Sequence, residues 1–133
     1  DTRLLEAFKH DHLKNASLSY DTATVPFEIF MDKLAHCYGV VLVSLGDVSP
    51  NMILDAIRYN KPFILTRETG LYDRLKEVGI FVDPENVGEI AAKLLWLANE
   101  SNYRDTQRKI EQFTFTHTWR EIAQEFYALA SGL

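Results

Sequence analysis

Residues Val40 to Thr66 read VVLVSLGDVSPNMILDAIRYNKPFILT. A β-branched apolar run is followed by a short polar loop holding Gly46 and Pro50, an apolar-periodic segment, and a second apolar run after Lys61-Pro62. That succession is the pattern of strand, turn, helix and strand, so the stretch reads as a βαβ unit. In open parallel sheets, ligands bind in the crevice outside the carboxyl ends of the strands. The loop Leu45 to Asn51 is therefore where function is expected.

Ser49 suits a helix N-cap with Pro50 at the first helical position, giving a helix from Pro50 to about Tyr59 that turns Ile53, Ala56 and Ile57 inward and ends at Asn60. Val40 to Ser44 is apolar on both faces, as a central parallel strand requires. Upstream, Leu4, Leu5, Phe8 and Leu13 predict a helix, and Ala16 to Tyr20 a short strand. After Pro26, Phe27, Phe30, Met31 and Leu34 fall on one face of a further helix that Tyr38-Gly39 closes. Downstream, Phe63 to Leu65 predicts a strand, Leu71, Leu75 and Val78 a short helix stopped by Gly79, and Ile80 to Val82 another strand. Asn86 and Glu89 start a helix whose predicted buried stripe is Ile90, Ala91, Leu94, Leu95 and Ala98. Ser101 opens a polar helix to about Gln112. Thr118 and Glu121 then open a last one with Ile122, Phe126, Leu129 and Ala130 on one face.

The expected fold is α/β, a Rossmann-like, mostly parallel sheet of about four strands flanked by helices, with the last helices packing across the sheet. At 133 residues, 47% of them hydrophobic and 25% charged, residues 1–133 suit a single domain. A net charge of −5 argues against nucleic acid and anionic membrane as partners, since both select cationic surfaces. Cys37 is the single cysteine, which excludes an intramolecular disulfide and fits a cytoplasmic setting. No run approaches the roughly 20 apolar residues of a membrane span. The chain begins at Asp1 without methionine, as a processed chain or an excised piece of a longer one would.

Asp47 and Asp55 mark two depths of the expected crevice, Asp55 roughly 8 Å along the helix from its start. Ionised carboxylates suit sugar hydroxyls, and the free N–H groups at the helix start suit a phosphate. A turn residue at Asp47 and a solvated helix position at Asp55 remain the plainer alternatives. Ser49 reads as a cap, with no histidine nearby to make it a nucleophile. Arg67, Glu68, Thr69 and Gly70 follow a strand end and either line the same crevice or form an ordinary surface loop. His10, His12, His36 and His117 form no metal-ligand pattern, and no metal is expected. His36, Cys37, Trp96 and Trp119 read as packing residues.

The segment SLGDVSPNMILDAIRYNKPFILT resembles the donor-binding segment of retaining GT-B glycosyltransferases of the family 4, group 1 type, S-x-x-E-G-F-G/P-x-x-x-L-E-A-x-x-x-G-x-P-V-I-A-T. Ser44, Pro50, Asn51, Leu54, Ala56, Pro62, Ile64 and Thr66 fit, and the paired glutamates fall on Asp47 and Asp55. GIFVDPENVGEIAAKLLWLANE and Phe115 with Trp119 resemble later family segments. The resemblance implies a partial GT-B C-terminal domain in which Asp47 holds the transferred sugar and acts at the catalytic position. It also implies that Asp55 holds the ribose and that Val48, Ser49, Pro50 and Asn51 face sugar and phosphate. The donor would be a nucleotide sugar such as a UDP- or GDP-hexose, bound without a further cofactor.

Departures from the family pattern are the two aspartates for glutamates, Val48-Ser49 for Gly-Phe, and Asn60 for glycine. The family's basic Arg and Lys for the diphosphate, two earlier strands and the N-terminal acceptor domain have no counterpart here. The expectation is a transferase fragment inactive alone, its sheet completed by other segments or by a second copy of the chain. Two rivals stand beside it. A receiver-like signalling domain is suggested by Lys61-Pro62, but no aspartate ends the Val40 strand. A non-catalytic binding or assembly module of the same ancestry is suggested by the departures.

Overall fold

The computed structural model describes Glu6, residues 24–115 and residues 118–132. The predicted Leu4 to Leu13 helix and Ala16 to Tyr20 strand lie outside the described residues, apart from Glu6, which is helical. The chain divides into two compact units, Asp1–Phe30 and Met31–Leu133. Pro26 opens helix α1 (Phe27–His36), whose first four residues belong to the first unit and the rest to the second; the Phe30 N–H donates to the Pro26 carbonyl at 3.0 Å.

The second unit continues with β1 (Val40–Leu42), α2 (Asn51–Arg58), β2 (Phe63–Thr66), α3 (Tyr72–Leu75), β3 (Ile80–Val82), α4 (Val87–Ala98), α5 (Glu100–Gln112) and α6 (Trp119–Ser131). The strands form a three-stranded parallel sheet in the order β1-β2-β3, with Val40 opposite Phe63 and Ile64 opposite Ile80. This is a helix-flanked α/β arrangement of the Rossmann-like kind, with three described strands where about four were expected. Among the described strands β2 is the central one and is fully buried along its length, while Val41 of β1 is 43% exposed. A strand paired on both sides and covered on both faces has no room for polar side chains, and FILT supplies none but Thr66.

Alternation along β2 sends Ile64 to one face, where it clusters with Ile80, Val82 and Leu97 and is flanked by Val43, Ile90 and Tyr103. Phe63 and Leu65 point the other way and are equally buried, as are Ile53 and Ala56 of α2 and Leu75 of α3. Leu71, Leu75 and Val78 are buried around the short α3, as their spacing predicted. Tyr38 joins this core to α5: its ring lies 4.2 Å from that of Tyr103, and its hydroxyl donates to the Leu97 carbonyl at 3.0 Å.

Helix ends follow the sequence in several places. Asn60 takes a left-handed φ of 53° after α2, the conformation that asparagine tolerates best after glycine. The Asn86 side chain caps α4 by accepting from the Glu89 N–H at 3.0 Å. Thr118 and Glu121 form a reciprocal capping box at α6.

Four packing expectations are corrected. In α4 only Leu97 is buried, with Ile90 half-buried, while Leu94 and Leu95 are 43% and 75% exposed. The helix is apolar nearly all round, so its periodicity did not resolve which side meets β3. α6 buries no residue, and Phe126 and Leu129 lie open. It is therefore not packed across the sheet through the described residues; Glu125 forms an ion pair with Arg74 at 3.3 Å. Trp96 and Trp119 are exposed rather than core. His36 is exposed too, with Nδ1 2.8 Å from the Asp32 carbonyl oxygen one turn back, while Cys37 is half-buried. Among the described residues no helix is long and apolar enough to cross a membrane.

Candidate functional site

Beyond their last ladder bonds, β1 and β2 do not part. The Asp47 N–H donates to the Glu68 carbonyl at 2.9 Å and the Gly70 N–H to the Asp47 carbonyl at 3.2 Å, so Asp47 and Thr69 form a further parallel bridge. The close approach requires glycine at position 70, because a Cβ there would stand 2.4 Å from the Val48 carbonyl oxygen. Two loops that the sequence leaves separate are thereby zipped into one wall. Local turns stiffen them: Asp47 Oδ1 accepts from the Ser49 N–H at 3.1 Å, and Thr66 Oγ1 accepts from the Glu68 N–H at 3.2 Å.

This wall borders two open cavities at the carboxyl ends of the strands. One, of about 480 Å³, is lined by Leu45 to Val48 and Arg67 to Gly70. The other, of about 490 Å³, is lined by Leu45, Arg67, Glu68, Asp83, Pro84 and Glu85. Leu45, Arg67 and Glu68 belong to both. Each cavity is in the size range of small-molecule sites.

Of the residues singled out in the sequence, the structure brings Asp47 and Val48 to this crevice together with Arg67, Glu68, Thr69 and Gly70. Ser49, Pro50, Asn51 and Asp55 do not line it. Pro50 is buried and serves as the N-cap of α2, so the helix starts at Asn51, one residue later than expected, and Ser49 does not cap it. Ser49 is held by the Asp47 carboxylate instead, an Asx-type turn that competes with capping. Asp55 is half-buried within α2. Ser44, two residues beyond β1, has its Oγ buried without a hydrogen-bond partner among the described residues.

Comparison with protein-family models, with curated proteins and with solved structures finds no match for this chain. The site is therefore read from its own geometry.

That geometry includes a group that the sequence did not single out. Glu89, in the first turn of α4, pairs with Arg67 through Oε1 and accepts the Asp83 N–H through Oε2 at 3.0 Å. The Asp83 N–H holds the Glu89 carboxyl below its ordinary pKa; desolvation opposes this and Arg67 reinforces it. Glu89 thus fixes the Arg67 guanidinium at the junction of the two cavities. The signal for Asp83 to Glu85 was available: they follow the third strand as Leu45 to Asp47 follow the first, and the strand-end rule applies equally. Glu89 gave no such signal, since capping-box spacing predicts that it turns back onto Asn86.

Among the described lining residues, Arg67 is the one cation against four carboxylates, Asp47, Glu68, Asp83 and Glu85. Such a surface offers acceptors to hydroxyl groups and one planar donor. It repels an unneutralised diphosphate. Among the described residues no group of three or more His, Cys, Asp or Glu is placed to hold a metal ion.

Proposed function

We propose that the chain is the donor-binding part of a nucleotide-sugar-dependent retaining glycosyltransferase, a partial GT-B C-terminal domain. The observation that carries this reading is the Asp47–Thr69 bridge, which sets Asp47 on the wall of the strand-end crevice, at the start of the segment resembling the family's donor-binding motif. In this reading Asp47 accepts from hydroxyls of the transferred hexose. Val48, Ser49, Pro50 and Asn51 form the loop beside it, and Asp55 accepts from the ribose. Arg67 is the donor that lines the same crevice as Asp47 and Val48. The acidic lining suits the hydroxyl-bearing parts of the donor and leaves the diphosphate to be neutralised by groups outside the described crevice. Half of a cleft supplies binding without holding an acceptor against the donor, so turnover by the chain alone is expected to be absent.

Calorimetric titration with UDP, GDP, ADP and UDP-hexoses tests the reading. Saturable binding of one nucleotide sugar is expected, weakened about tenfold or more in Asp47→Ala and in Asp55→Ala, the effect of removing a charged hydrogen-bond partner. Absence of binding to every one of them, with the chain demonstrably folded, would sink it.

A further inference from the structure

At the opposite end of the sheet, where β3 begins, a cavity of about 210 Å³ is lined by three lysines, Lys76, Lys93 and Lys109, and by the Trp96 ring. Helical spacing explains the convergence. Lys93 and Trp96 are three apart on α4, Thr106 and Lys109 three apart on α5, and these two faces flank the entry to β3. The floor is closed at Gly79, where a Cβ would stand 2.7 Å from the Phe81 ring and 2.8 Å from that of the buried Phe63. A neighbouring cavity of about 320 Å³ shares Glu77, Val78 and Lys109 with it.

The charge balance is the reverse of the crevice. Three lysines and one carboxylate, Glu77, line it, in a chain whose net charge is −5. Among the described residues Lys93 and Lys109 form no ion pair. Lys93 feels Glu89 one turn back, but that carboxylate is committed to Arg67 and the Asp83 N–H. Lys76 meets Asp73 at 3.5 Å, and both are exposed. Trp96 leaves 44% of its surface open beside these lysines. An aromatic face next to convergent cations selects a ligand that is both flat and anionic, because stacking and charge-assisted hydrogen bonds then act on one molecule.

We propose that this cavity is a second binding site, distinct from the strand-end crevice, for a small planar-ring anion carrying a phosphate group. The lysines take the phosphate oxygens and Trp96 takes the ring. A volume of about 210 Å³ limits the ligand to a single ring with its phosphate.

The test uses the full chain with Trp119→Phe, which makes Trp96 its single tryptophan and alters a side chain that is 86% exposed. Phenyl phosphate is expected to quench Trp96 saturably, inorganic phosphate to compete more weakly, and phenol to give no saturable change. Lys93→Ala and Lys109→Ala are each expected to weaken phenyl phosphate by about tenfold, the effect of losing one charged hydrogen-bond donor, while Asp47→Ala leaves it unchanged. Phosphorus NMR line broadening on the unsubstituted chain gives the same readout without the tryptophan change. The proposal is overturned by an absence of saturation in both measurements, by equal affinity in the lysine variants, or by a response to Asp47→Ala. A glutamate-rich peptide outcompeting phenyl phosphate overturns it as well, since the cavity would then belong to a protein partner.

Discussion

Gly70 and Glu89 are the residues on which the crevice wall depends. Gly70→Ala forces a Cβ against the Val48 carbonyl, a backbone atom that cannot swing aside. A loss of roughly 1–3 kcal/mol is expected, the usual cost of overpacking, read as a lowered urea midpoint. Ligand binding at the crevice should fall with it, since the loops must separate. Glu89 contributes to the acid limb of stability. Its folded-state pKa lies below the unfolded value, so its contribution is present above the unfolded pKa and lost as pH falls through the lowered one. Glu89→Gln should therefore reduce stability at neutral pH and leave a flatter loss on acidification. An unchanged acid limb in urea titrations across that range would show that the Arg67 and Asp83 contacts add nothing. The sequence made Gly70 and Arg67 visible as strand-end residues, yet hid their roles. A bridge between two loops and a pairing between positions 67 and 89 are tertiary facts without local periodicity.

Among the elements, α4 and α6 separate what a pattern can say from what it cannot. Both starts were legible because caps are local: Asn86 bonds to Glu89, and Thr118 exchanges bonds with Glu121. Their inward faces were not. In IAAKLLWLA apolar residues occupy every side, and only the sheet decides that Leu97 goes in while Leu95 stays out. Leu97→Ala is accordingly expected to cost roughly 2–5 kcal/mol, the range for a buried leucine, whereas Leu95→Ala should stay within about 0.5 kcal/mol. Equal effects in denaturant titrations would mean that α4 is rotated from the orientation described. α6 has a clear amphipathic pattern and no buried residue among those described, so its hydrogen bonds should be the weakest protected among the described helices. Hydrogen exchange would show this as near-peptide rates across Trp119–Ser131 beside strong protection in Phe63–Thr66.

Taken as one molecule, Met31–Leu133 is polarised along its strands. Carboxylates gather where the strands end and lysines where β3 begins. Raising salt should weaken phosphate-bearing ligands at the lysine cavity far more than uncharged sugars at the crevice, and paired titrations at two ionic strengths would separate the two ends. The α/β class and the position of the crevice were legible from Val40 to Thr66 alone, because one βαβ unit fixes both. The charge contrast was not, because its residues come from separate segments that only folding brings together.

The sheet also runs in plain chain order, β1 beside β2 beside β3, with one short crossover between each pair. None of the described strands waits for a partner made much later in synthesis. Closure entropy grows only slowly with the length of a crossover, although parallel pairings form more slowly than hairpins. A nascent chain can therefore zip this sheet from its first strand forward as it leaves the ribosome.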